Sequence, residues 1–167
     1  MENPTYHVQV KYSVEFLRQL LSQVDEAAGL VLVGDLSQFR PQELLGVTRE
    51  EIPVTNVVYQ ASYGRVHIPL LGLNKYHLKK EVLARVGLRT LVCEVQVERY
   101  GRLLCHAPNY FQDGAWLADW FQLEFLQALE EDGVIKVALA RPSACIPYSS
   151  KRHDQLFLTQ RRGGAEA

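Results

Sequence analysis

At 167 residues, with 47% hydrophobic and 22% charged residues, the chain suits one soluble globular domain that can bury a core without disulfide or metal staples. A net charge of −1 supplies no overall field for nucleic acid or an anionic membrane, so either partner would need a local patch. Its longest apolar runs, Gly29–Gly34 and Val134–Ala140, fall far short of the roughly 20 residues that span a bilayer.

MENPTYHVQV lacks a basic stretch followed by an apolar one, so no secretory leader is expected. Cys93, Cys105 and Cys145 are odd in number and match no disulfide or zinc spacing, which predicts reduced thiols and a cytosolic location.

Tyr6–Tyr12 alternates as a half-buried strand. Ser13 is a candidate cap for a helix whose apolar face carries Val14, Leu17, Leu20, Leu21, Val24 and Ala28. Gly29 follows as a left-handed terminator, and Leu30–Val33 reads as a central strand. Pro41–Leu45 suits a short helix ended by Gly46. Val54–Ala61 and Arg65–Leu71 flank Ser62–Gly64 as a hairpin.

A second helix, capped by Asn74, is predicted from Lys75 to Val86, with Gly87 at its end. The clearest β pattern follows: Leu91, Cys93, Val95 and Val97 inward, Glu94, Gln96 and Glu98 toward solvent or a polar partner. Arg99–Arg102 turns the chain about Gly101, and Leu103–Ala107 returns antiparallel. A third helix, capped by Asp113, is predicted from Ala115 to Glu131 and closed by Gly133. Val134–Ala140 forms a further strand, Gln155–Thr159 a last one, and residues 161–167 a disordered tail after a single domain over 1–160.

These elements predict an α+β fold, its antiparallel or mixed sheet covered by helices mainly on one face, with a ferredoxin-like core as the specific architecture.

Leu30–Gln38 resembles the strand-end GD-x-x-Q segment of superfamily 1 helicases over about a dozen residues. That resemblance implies a nucleotide site at Asp35 and Gln38, but no GxxxxGK[ST] exists in the chain to cradle phosphates. Asp35 is read instead as the exit of a buried strand.

Cys105, His106 and Asp113 crowd a strand exit, with His67 on another strand as a possible partner, and form the candidate catalytic set. Adjacent strand residues point to opposite faces, so Cys105 and His106 cannot act as a thiol–imidazole pair, and Asp113 already has a capping role. The five histidines are dispersed without a third ligand for His77 and Glu81, so no metal and no cofactor are expected. Lys75, Lys79, Lys80 and Arg85, with Lys151 and Arg152, are the candidate nucleic-acid contacts, although such a helix is commonly a solvated face.

Trp116, Trp120 and Phe121 give the third helix a wide aromatic arc and are the candidate interface of a homodimer. The function that follows is a small cytosolic binding or regulatory module, self-associating and without catalysis. The alternatives are a small hydrolase or transferase around His106, or a nucleic-acid-binding module using a local basic patch.

Overall fold

A computed structural model describes residues 5–36, 44–51, 63–83 and 91–139. Its sheet has eight strands: β1 Thr5–Val10, β2 Ala28–Asp35, β3 Thr48–Glu51, β4 Tyr63–Pro69, β5 Val92–Arg99, β6 Arg102–Pro108, β7 Ala115–Ala118 and β8 Ile135–Leu139. The helices are α1 Ser13–Gln23, α2 Gly72–His77, which runs on as a π-helical turn Leu78–Val82, and α3 Leu123–Glu131.

The strand order is β3-β4-β2-β5-β6-β7-β1-β8, and every neighbouring pair is antiparallel. This is an open antiparallel sheet in an α+β domain; the ferredoxin-like core is not confirmed. β1 and β2 run parallel but lie four steps apart, with β5, β6 and β7 between them. The 11 residues of α1 reach about 16 Å along the helix axis, close to the roughly 19 Å of four strand spacings. One amphipathic helix therefore carries the chain most of the way across the sheet.

The three described helices serve the same face. Leu30 and Leu32 of β2, Val66 and Ile68 of β4, and Val95 and Val97 of β5 share one core cluster with Phe16, Leu17, Leu20 and Leu21 of α1, and Leu78, Leu126 and Leu129 join it. β2 is buried on both faces, as its unbroken apolar run requires of a central strand. No helix among the described residues is long and apolar enough to cross a membrane.

Several local expectations are corrected. Tyr12, not Ser13, takes the N-cap position of α1, with no side-chain cap. Asn74 lies inside α2, fully buried; its amide holds both backbone groups of Leu45 and the Pro69 carbonyl, each at 2.8 Å. Gly29 ends no helix but lies within β2. Tyr63 and Gly64 belong to β4, whose described partner on that side is the short, highly charged β3.

A bulge interrupts β5: Val33 pairs with Glu94 and Gly34 with Val92, leaving Cys93 as the extra residue. Val92 thus takes the core position expected for Leu91 and Cys93, while Val95 and Val97 are fully buried as the alternation predicts. The two-residue turn at Tyr100 and Gly101 has positive φ at both positions, the type I′ geometry that matches strand twist.

The largest correction falls on residues 115–131. Ala115–Ala118 is a strand between β6 and β1, and the helix starts only at Leu123 after a turn. Asp113 therefore caps nothing. Gly133 does close the helix: its N–H reaches the Glu130 carbonyl and that of Val134 the Leu129 carbonyl, a Schellman motif with Gly133 at φ 75°. The expected elements at Pro41–Leu45, Val54–Ala61 and Gln155–Thr159, the terminator Gly87 and the tail lie outside the described residues, wholly or, for Pro41–Leu45, in part.

Candidate functional site

The sheet face opposite the helices carries most of the polar residues of the described strands. Cross-strand pairing puts one line of side chains along it: Thr48 opposite His67, His67 opposite Val31, Val31 opposite Gln96, and Gln96 opposite His106. The line continues from His106 to Trp116 and from Trp116 to His7. A second line, one pleat away, joins Glu50, Arg65, Val33 and Glu94.

Over the β3–β4–β2–β5 part of this face lies a cleft of about 410 Å³. Val31 and Leu103 are its apolar lining, and Thr48, Glu50, Arg65, His67, Gln96 and Glu98 supply polar groups. His67 leans diagonally across β2, where a Cβ on Gly29 would come within 2.5 Å of its Nε2. That nitrogen faces Glu98 Oε1 at 3.5 Å, with both side chains more than a third exposed. Gly29 is therefore the residue that makes room for the imidazole. Arg65, at the far side of Val31, has a buried Nε–H without a hydrogen-bond partner.

Glu94 anchors the more deeply buried part of the same face. It accepts a hydrogen bond from His106 Nε2 at 2.7 Å and another from Gln96. The bond from His106, followed by that from Gln96, holds its carboxyl below the ordinary carboxylate range against the opposing effect of burial. Because the carboxylate only accepts, Nε2 of His106 is the donor in this bond. The Nδ1 of the same ring is buried without a partner. Nearby, Cys93 donates its thiol proton to the Val33 carbonyl, so Tyr63 donates to Sγ, each at 3.2 Å. This bond is the main reason the Tyr63 phenol is pushed up to about 12.

The sequence-predicted catalytic set is not assembled. His67 and His106 share a face and a line but stand three strands apart, about 14 Å at ordinary strand spacing. Each has its own carboxylate, Glu98 or Glu94. Cys105 is fully buried on the helix-covered face, and burial alone pushes its thiol far up. Asp113 lies in the turn before β7, where its carbonyl accepts from His7 Nε2 at 3.0 Å and its carboxylate from Asn109. Burial, the largest effect there, lowers the pKa of His7.

Of the aromatic trio, Trp116 and Phe121 are 3% exposed and Trp120 36%. Trp116 packs in the sheet against His7, with ring centroids 4.7 Å apart. Arg99 lies over Trp120 at 4.9 Å and over Tyr100 at 4.6 Å. The wide helical arc that motivated an interface is thus divided between a strand, a turn and a helix.

Lys75 donates to the Val24 carbonyl and Lys79 to Ser22 Oγ, tying α2 to the end of α1; Lys80 reaches the Tyr76 hydroxyl. Arg85, Lys151 and Arg152 lie outside the described residues. Among the described residues, no three His, Cys, Asp or Glu side chains are grouped to hold a metal ion.

Sequence reading missed Arg65, Thr48, Glu50, Glu98 and Gln96 as members of one site. The available signal was parity: each sits at alternate positions of a strand with polar residues on one side, but their mutual placement depends on strand order. No family model matches this chain, and no curated protein or solved structure matches it either.

Proposed function

We propose that this protein is a cytosolic binding or regulatory module without catalysis of its own, which takes a small polar molecule in the cleft over β3, β4, β2 and β5. The observation that carries the reading is the cleft itself, where polar groups from three strands, β3, β4 and β5, converge around Val31 of β2 and Leu103 of β6. An apolar floor with a few oriented polar groups is the usual chemistry of a small-molecule site. The separation of His67 from His106 supports binding over catalysis, because neither pairs with a described nucleophile. The unpaired thiols of Cys93 and Cys105 support the cytosolic part of the proposal.

Amide NMR spectra recorded against mixtures of amines, carboxylic acids, amino acids, sugars and nucleosides test it. Shifts concentrated on Thr48, Glu50, Gln96 and Gly101 are expected. No response, or a response confined to another face, overturns the cleft as a binding site.

A second reading, a small hydrolase or transferase at His106, draws on the Glu94–His106 pair, whose Nδ1 has the form of an oriented general base. Its side chain is only 5% exposed, which opposes access by a substrate. Loss of a detected hydrolytic activity in His106→Gln, with the fold retained, would favour it.

A further inference from the structure

The inference rests on the binding reading above and concerns the class of molecule that fills the cleft. Pairing gives its chemistry a direction. Arg65 lies opposite Val33, and Glu98 opposite Gly29, so Val31 occupies the middle of the diagonal between them. Two strand spacings across and four residues along put the two Cα atoms about 16 Å apart. With the Glu98 carboxylate held beside His67 at the Gly29 end, the gap to Arg65 is too wide for the adjoining charges of an α-amino acid. A short run of methylenes over Val31 and Leu103 suits it.

The two ends differ in what they ask of a ligand. Arg65 lines one end with a guanidinium, whose N–H groups only donate, so that end asks for an oxygen acceptor. At the other end Glu98, within 3.5 Å of His67 Nε2, offers carboxylate oxygens. Glu50 lies directly opposite Arg65, and Glu94 lies behind Gln96. Two lining carboxylates, Glu50 and Glu98, against one guanidinium, with His67 left aside, favour a ligand with positive charge. They disfavour a dianion.

We propose that the cleft binds a small aliphatic amine whose ammonium sits at Glu98 and whose far end presents an oxygen acceptor to Arg65. The methylenes between them cover Val31. An amino-amide fits this description best, and an ω-amino acid also satisfies it.

Calorimetric titration of the full chain with four probes of matched length tests the proposal: δ-aminovaleramide, δ-aminovalerate, cadaverine and glutarate. The first two are expected to bind. Cadaverine lacks the oxygen and glutarate the ammonium, and each is expected to bind at least about ten-fold more weakly, the loss of one charge-assisted hydrogen bond. Glu98→Gln is expected to weaken δ-aminovaleramide about ten-fold. Arg65→Met is expected to weaken δ-aminovaleramide without weakening cadaverine, whose second ammonium no longer meets a guanidinium, which separates a ligand contact from a general loss of fold.

Equal binding of cadaverine or glutarate with δ-aminovaleramide overturns the proposal, as does an Arg65→Met variant that loses all probes in parallel. If the cleft amides respond to the broad mixtures but to none of these four compounds, the ligand class falls and the binding reading stands. Silence in both experiments overturns both.

Discussion

Gly29 and His67 form a pair whose meaning is visible only in three dimensions. A Cβ at position 29 would overlap the imidazole at 2.5 Å from Nε2 and 2.8 Å from Cε1. The obstacle is the end of a side chain rather than backbone, so the ring is expected to move before the strand does. Gly29→Ala should cost about 1 kcal/mol in urea denaturation. The cost should vanish in a His67→Ala background, because the clash then has no second partner. Equal costs in both backgrounds would show that Gly29 serves the strand and not the imidazole.

Glu94 makes an opposite kind of pair, one held by attraction. Its folded pKa lies below the unfolded value, so the linked stability is fully present above about pH 4.5 and is lost as pH falls through the folded pKa. Glu94→Gln should therefore be less stable than the parent near neutrality, by on the order of 1–2 kcal/mol, and the difference should shrink in acid. Urea midpoints across the acid range measure this. A difference that grows as pH falls would assign Glu94 the wrong sign.

The β5 strand was the most readable element, and its centre behaves as its alternation requires. Val95 and Val97 are wholly buried, with Glu94 and Gln96 on the opposite face. Val95→Asp should cost about 3 kcal/mol or more in denaturant, since an unpaired charge enters the core. A loss below 1 kcal/mol, read against the same scale, would place the residue outside the core. The beginning of the same strand was not readable, because a bulge at Cys93 shifts the parity, and bulges depend on the neighbouring strand.

Residues 115–118 failed for a related reason. Four apolar residues, AWLA, satisfy a buried strand as well as the first turn of a helix. The preceding segment also takes an uncommon course: Asn109, Tyr110 and Phe111 all have positive φ, at 51°, 46° and 68°. Burial of the Tyr110 and Phe111 rings, the latter edge-on to Phe16 at 5.6 Å, helps offset that backbone cost.

At the scale of the molecule, the two-faced sheet divides the two described cysteines. Cys105 faces the helix-covered core and is wholly buried; Cys93 is half-buried among hydrogen bonds on the polar face. A thiol reagent applied to the native protein should spare Cys105 until unfolding, with mass spectrometry locating the modified residues. Rapid native labelling of Cys105 would contradict its position in the core. Self-association has a separate test at Trp120, the exposed member of the aromatic trio. Arg99 already covers part of its ring, so Trp120→Ala should leave the mass measured by light scattering unchanged. A fall from dimer to monomer would put an interface there.

What the sequence by itself determined was local and periodic: an amphipathic α1, the β5–β6 hairpin with its Gly101 turn, the Gly133 terminator, the β2 run buried on both sides, and an α+β composition of elements. These follow from side-chain spacing, turn chemistry and capping, which act within a few residues. Strand order belonged to the tertiary structure alone. Nothing within β4 indicates that His67 will lie beside Val31, or that Val31 will separate Arg65 from Glu98, because those neighbours are set by which strands pair across long stretches of chain. The cleft is made of such neighbours, so its residues were present in the sequence while the site was not.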